Sequence, residues 1–153
     1  TLKKINKNTK LIPGKETFLI SIDPFQTPQW HNIGQKLVKK AGNSMYHRLI
    51  QKKSYEALPI VLETHNHGSI DLIFIDGFHT FDFTLIDVYY AIKLLKMGGI
   101  LVIDDAKHPG VEKVIRYIDT NYLFLEKMSS PDTLGAYKKT KNDDRSWDFH
   151  KQF

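Results

Sequence analysis

The residues with chemical potential in this chain are Asp23, Asp76, His79, Asp104 and Asp105. The aspartates close apolar runs: Asp23 follows FLISI, Asp76 follows DLIFI, and Asp104-Asp105 follow ILVI, while His79 stands just past Asp76-Gly77-Phe78. Carboxylates are hard oxygen donors. With no Cys in the sequence, Asp76, Asp104 and Asp105 favour Mg²⁺, Ca²⁺ or Mn²⁺ over Zn²⁺. Crowded carboxylates raise one another's pKa, and a divalent cation is the natural compensation. Asp23 ends a different run and precedes Pro24, a placement that suits a ribose-diol acceptor. His79 has the intrinsic proton affinity of a general base. Plainer roles exist for each: Asp76 can cap the next helix, Gly77 can simply make the turn, and His79 can pack over the helix start.

The elements that must position these groups follow from periodicity. Phe18–Ile22 and Met45–Ile50 read as strands, and Pro28–Ala41 has helical spacing with Gly42 at its end. Ser54 is a helix cap for a segment through Leu62, which Pro59 is expected to kink or end. Ile70–Ile75 and Ile100–Ile103 are short, continuous, apolar runs, the pattern of strands buried on both faces. Between them Thr80–Met97 is helical, ended by Gly98-Gly99, and Gly110–Tyr122 carries a second helical stripe. Tyr122–Met128 and Leu134–Lys139 alternate as a hairpin around Ser129–Thr133. Alternating strands and helices imply an α/β fold: a doubly wound, mostly parallel Rossmann-like sheet with a C-terminal antiparallel hairpin. In such a sheet the strand C-termini share one edge, where ligands bind, so the acids at strand ends fall together.

Composition sets the bounds. The 153 residues, 41% hydrophobic and 25% charged, fit a globular chain able to build a core. The organisation expected is a basic segment over 1–17, a domain over 18–141 and a polar, loosely ordered tail over 142–153. The formal charge of +5 comes mostly from Lys at both ends. Solvated tails explain it more simply than nucleic acid, which is not expected as a partner. No apolar run is long enough for a membrane span, and no signal-peptide core is present at the start. A cytoplasmic, reducing location is compatible with the lack of Cys.

The segments LISIDP, KSYEALP, DLIFIDGFHTFD and LLKMGGILVIDDA, in that order and spacing, resemble class I S-adenosylmethionine-dependent methyltransferases. The resemblance runs from about Phe18 to Tyr122. It is nearest to the metal-dependent small-molecule O-methyltransferases, the catechol and macrocin O-methyltransferase-like enzymes. It implies that Asp23 holds the ribose hydroxyls of S-adenosyl-L-methionine, that Ser54 and Tyr55 lie by the adenine, and that Asp76 belongs to the cofactor edge. It further implies that Asp76, Asp104 and Asp105 ligate Mg²⁺ and that His79 accepts the proton of a small hydroxylated acceptor.

The sequence departs from that pattern in one respect. The family's first strand and Gly-rich turn should precede Asp23, and no G-x-G occurs there; Thr1–Asn8 instead resembles the helix that follows that turn. The expectation is therefore a chain that starts just past the main cofactor motif. Its FLISI and DLIFI edges would then pair directly, drive self-association into a homo-oligomer, or leave the chain unstable. A rival reading is a non-catalytic methyltransferase-fold binding or assembly module. A weaker one is a phospho-accepting receiver domain, whose paired acids should precede DLIFID instead of following it.

Overall fold

The computed structural model describes residues 17–153. Most of the basic segment 1–17, including the helix end expected over Thr1–Asn8 and the turn at Pro13-Gly14, lies outside the described residues. The chain divides into two compact units, Thr1–Ala57 and Leu58–Phe153.

In the first unit, β1 (Leu19–Ile22) and β2 (His47–Ile50) form a parallel pair in which Leu19 faces His47 and Ile22 faces Ile50. Helix α1 (Ile33–Lys40) connects them, and a 3₁₀ turn, Ser44–Tyr46, leads into β2. α1 is shorter than the apolar spacing predicts. His31 and Asn32 take positive φ (49° and 58°), so residues before Ile33 turn instead of continuing the helix. Helix α2 (Ser54–Thr64) begins at Ser54 itself, and the Lys53 N–H donates to Glu56 Oε2 at 3.3 Å. Pro59 does not end it; the helix runs on to Thr64.

The second unit holds a four-stranded sheet in the order β3-β4-β6-β5, from β3 (Ile70–Ile75), β4 (Leu95–Ile103), β5 (Leu125–Lys127) and β6 (Gly135–Lys139). β3 and β4 are parallel, joined by α3 (Phe81–Leu94); β4 leads through α4 (Pro109–Asn121) into the antiparallel β5–β6 hairpin. The α/β class and the closing hairpin are as the sequence implies, with the strands divided between two sheets. Among the described residues β1 pairs with β2 alone and β3 with β4 alone, so FLISI and DLIFI are not partners.

α3 ends at Leu94, earlier than the Gly pair predicts. Leu95 turns extended, and the register then shifts so that Ile70 faces Leu95 but Leu72 faces Ile100, with Gly98 at φ +75° inside the irregularity. Leu101 and Ile103 of β4 face Ile73 and Ile75 of β3 and join Val88, Ala91, Val114 and Ile118 from the two helices in one core. Full burial of each Val, Leu or Ile side chain there contributes about 1.5–3 kcal/mol. The expectation that β3 is buried on both faces is not met: Leu72 and Phe74, on its other face, are 60% and 56% exposed. The tail also differs from expectation. It forms no helix or strand, yet Lys151 exchanges two main-chain hydrogen bonds with the buried Asn121 side chain, and Phe153 packs on Phe81 and Tyr117. No helix among the described residues is long and apolar enough to cross a membrane.

Candidate active site

β3 and β4 finish together because Ile75 is in register with Ile103, and the Asp104 N–H donates to the Ile75 carbonyl at 2.9 Å. Asp76 and Asp104 therefore leave neighbouring strand ends. The Asp104 carboxylate turns back, its Oδ1 accepting from the Asp105 N–H at 2.8 Å. Asp105 takes φ +52°, a left-handed conformation that costs an L-residue about 1–2 kcal/mol and that Asp tolerates better than most. The strained residue is pinned on its C-terminal side: His108 N–H donates to the Asp105 carbonyl (2.8 Å), and Ala106 N–H to the Thr133 carbonyl (2.9 Å).

His79 reaches the same corner from the β3–α3 loop. Gly77 makes this possible, since a Cβ there would lie 2.9 Å from Oδ2 of the buried Asp87. Thr84 Oγ1 donates to the Phe78 carbonyl at 3.2 Å and ties the loop to the first turn of α3. His79 Nε2 then sits 3.0 Å from Asp105 Oδ2 and 3.9 Å from Asp76 Oδ1. The Asp105 approach is not aligned as a hydrogen bond, and Nε2 is shielded from solvent with no hydrogen-bond partner. The His108 ring stacks on His79, centroids 4.7 Å apart and planes 23° apart, with its Nε2 4.0 Å from Asp105 Oδ1. Gly110 lets the two loops meet: a Cβ at that position would clash with the His79 carbonyl oxygen.

His79, Asp105 and His108 are, among the described residues, the one group of three potential ligand atoms lying within 4.8 Å of one another. Asp76 and Asp104 stand at the same strand ends but are not in that group. Asp23, in the first unit, is occupied locally: Oδ1 accepts from Phe25 N–H (2.8 Å) and Oδ2 from Gln26 Nε2 (2.7 Å). Ser54 opens α2, and the half-exposed Tyr55 ring has Lys53 Nζ 5.7 Å from its centroid. His108 is the residue that the sequence reading passed over. Its signal was present: a His three residues after Asp105, immediately before the Pro109-Gly110 that opens a helix.

The sequence matches the family described as "Methyltransferase domain" over residues 2–106, more than half its length. The chain belongs to that family. No curated protein matches the chain in sequence. Solved structures with the same fold include a protein of Corynebacterium glutamicum at 21% identity and TM-score 0.58, aligned over 84% of this chain and 63% of that one. A cofactor-bound protein from MTB aligns at 16% identity and TM-score 0.65, over 84% of this chain and 64% of that one. An O-methyltransferase from Bacillus cereus in complex with SAH aligns at 14% identity and TM-score 0.61, over 80% and 63%. This methyltransferase domain thus spans somewhat less than two thirds of the length of those structures.

Proposed function

We propose that this methyltransferase domain transfers a methyl group from S-adenosylmethionine to a hydroxyl of a small acceptor, with a hard divalent cation at the C-terminal edge of β3 and β4. The carrying observation is the convergence of His79 with Asp105, 3.0 Å apart, at that edge, with Asp76 and Asp104 on the adjoining strand ends. The family match supports methyl transfer, and the bound SAH of the Bacillus cereus O-methyltransferase supports the donor. In this reading Asp76, Asp104 and Asp105 would hold the cation, which when bound would supply Lewis-acid chemistry at the acceptor. His79 takes the hydroxyl proton. The oxygen attacks the methyl carbon in line, and the carbon–sulfur bonding pair stays on sulfur as SAH forms. Asp23, with Ser54 and Tyr55, is assigned to the nucleoside part of the donor.

A second reading, a binding module without catalysis, is favoured by Asp23, whose two oxygens are both already engaged within its own turn. Calorimetry with S-adenosylmethionine, followed by transfer of labelled methyl to a panel of vicinal diols, separates the two. Donor binding with Mg²⁺-stimulated transfer, lost in His79→Ala, supports the enzyme. Absence of donor binding supports the module.

A further inference from the structure

We infer that the second unit has another binding site, a cleft for a small organic anion at the end of its sheet opposite the acidic edge. The ligand's apolar body would lie against Tyr89, Ile92 and Phe124, and its carboxylate or phosphate between Lys93 and Lys139. No residue of the methyl-transfer reading takes part, so the inference stands apart from it.

The place is fixed by the elements. Gly68 leads into β3, and Lys93 lies in the last turn of α3. Lys139 ends β6, whose antiparallel run starts opposite Ile103 and carries it away from Asp104. The Gly68 N–H donates to the Lys93 carbonyl at 3.0 Å and joins two of these walls. Asn142, Asp143 and Arg145 of the tail supply another. The cavity is about 290 Å³, near the lower bound for small-molecule pockets.

Charge decides what the cleft takes. Lys93, Lys139 and Arg145 line it against one carboxylate, Asp143. That carboxylate is already engaged: Arg145 Nε and Nη2 donate to its two oxygens at 2.6 Å each. Lys139 is only 8% exposed, and its Nζ donates to the Ile92 and Leu95 carbonyls at 2.7 and 2.8 Å. An ammonium carries three donors, so one remains for a ligand. Carbonyl dipoles solvate the charge without neutralising it, and a buried cation lacking a counter-charge is costly. Burial above all, with the like charge of Lys93 added and Asp143 opposing, holds the Lys139 pKa below the ordinary lysine value. An anion between the two ammonium groups relieves the desolvation and the repulsion together. The walls select an organic anion over a bare ion, because Lys93 Nζ stands 4.7 Å from the Tyr89 ring centroid. A ligand held by that ammonium has an aromatic ring beside it.

The test is titration of the full chain with phenyl phosphate, benzoate, inorganic phosphate and the neutral benzyl alcohol, followed by calorimetry and by the backbone amide resonances of Gly68 and Asn142. Lys93→Gln and Lys93→Glu remove and reverse a half-buried charge while leaving the Lys139 hydrogen bonds at the end of α3 in place. Lys139 itself is kept, because its loss would strand two carbonyls and threaten the fold. Phenyl phosphate and benzoate should bind more tightly than inorganic phosphate or benzyl alcohol and shift Gly68 and Asn142 together. Losing one charged hydrogen-bond donor should weaken both by roughly tenfold or more in Lys93→Gln, and further in Lys93→Glu. Proteolysis within 142–153 should slow when phenyl phosphate is bound, and that protection should vanish in Lys93→Glu. Anion affinities unchanged in both Lys93 variants would overturn the inference. So would inorganic phosphate or benzyl alcohol binding as tightly as phenyl phosphate, or no response of Gly68 and Asn142 to either organic anion at millimolar concentration.

Discussion

Gly110→Ala pits helix propensity against a close approach. Gly110 is the second residue of α4, where Ala would ordinarily gain about 0.5–1 kcal/mol over Gly. Here the new Cβ would clash with the His79 carbonyl oxygen and meet Phe81 N at 2.8 Å and Thr80 C at 3.0 Å. All are main-chain atoms at the entry to α3, so no rotamer change relieves them, and the 79–81 backbone must withdraw by roughly 1 Å to reach ordinary contact. Overpacking of that kind costs about 1–3 kcal/mol. For a chain of this size that is a fall in melting temperature of roughly 3–10 °C. Gly34→Ala is the internal control. Gly34 is also the second residue of its helix, but its Cβ would meet Gln26 Oε1 at 2.9 Å, the tip of a side chain that can swing away. Thermal melts of the two variants should diverge, Gly34→Ala at or above the parent and Gly110→Ala below it. Equal melting temperatures for both would refute the claim that the β3–α3 and β4–α4 loops are locked together at Gly110.

Asn121→Ala removes two half-buried hydrogen bonds to Lys151 and should cost about 1–3 kcal/mol for the pair, with faster proteolysis in 142–153 as the local readout. The hydrogen bonds from Arg145 hold the Asp143 carboxyl below its ordinary range. A depressed folded pKa contributes stability above the unfolded value, about 3.9, and loses it as pH falls through the folded value. Acid titration of stability should therefore flatten below about pH 4 in Asp143→Asn, by a modest amount because the side chain is 39% exposed. Asp76→Ala and Asp104→Ala should each weaken Mg²⁺ or Mn²⁺ binding, read by titration; unchanged affinity in both removes them from the cation site. Asp23→Ala should weaken S-adenosylmethionine binding, since a carboxylate on a diol makes hydrogen bonds worth about 1.5–3 kcal/mol each, and an unchanged dissociation constant would free Asp23 from that role.

Strand and helix order was readable because each apolar run is short, correctly spaced and punctuated by Gly or Asp. What escaped reading depends on features that periodicity does not encode. The run Leu72-Ile73-Phe74-Ile75 gives no alternation by which to tell its exposed face from its buried one. Helical spacing from Trp30 to Ala41 was real, but His31 and Asn32 take left-handed conformations that no hydrophobic pattern reports. Asp76, His79, Asp104 and Asp105 were visible as polar residues at strand ends. His108 was not, because its place beside His79 depends on a two-loop contact set by Gly110, between residues far apart in sequence. The tail looked polar and free; the buried Asn121 that fastens it reads, in sequence, as one more residue at a helix end.

Among the described residues β3 lies at the edge of its sheet, and that position also shapes how the site breathes. A strand bonded to one parallel neighbour directs only alternate amides toward it, so deuterium uptake along Ile70–Ile75 should run slow and fast by turns. Ile100–Ile103 of β4, flanked by β3 and β6, should exchange slowly throughout. Local opening then begins on the strand that carries Asp76 and spares the strand that carries Asp105. The two halves of the acidic edge would then be held with unequal firmness, with Asp76 on the strand that opens first.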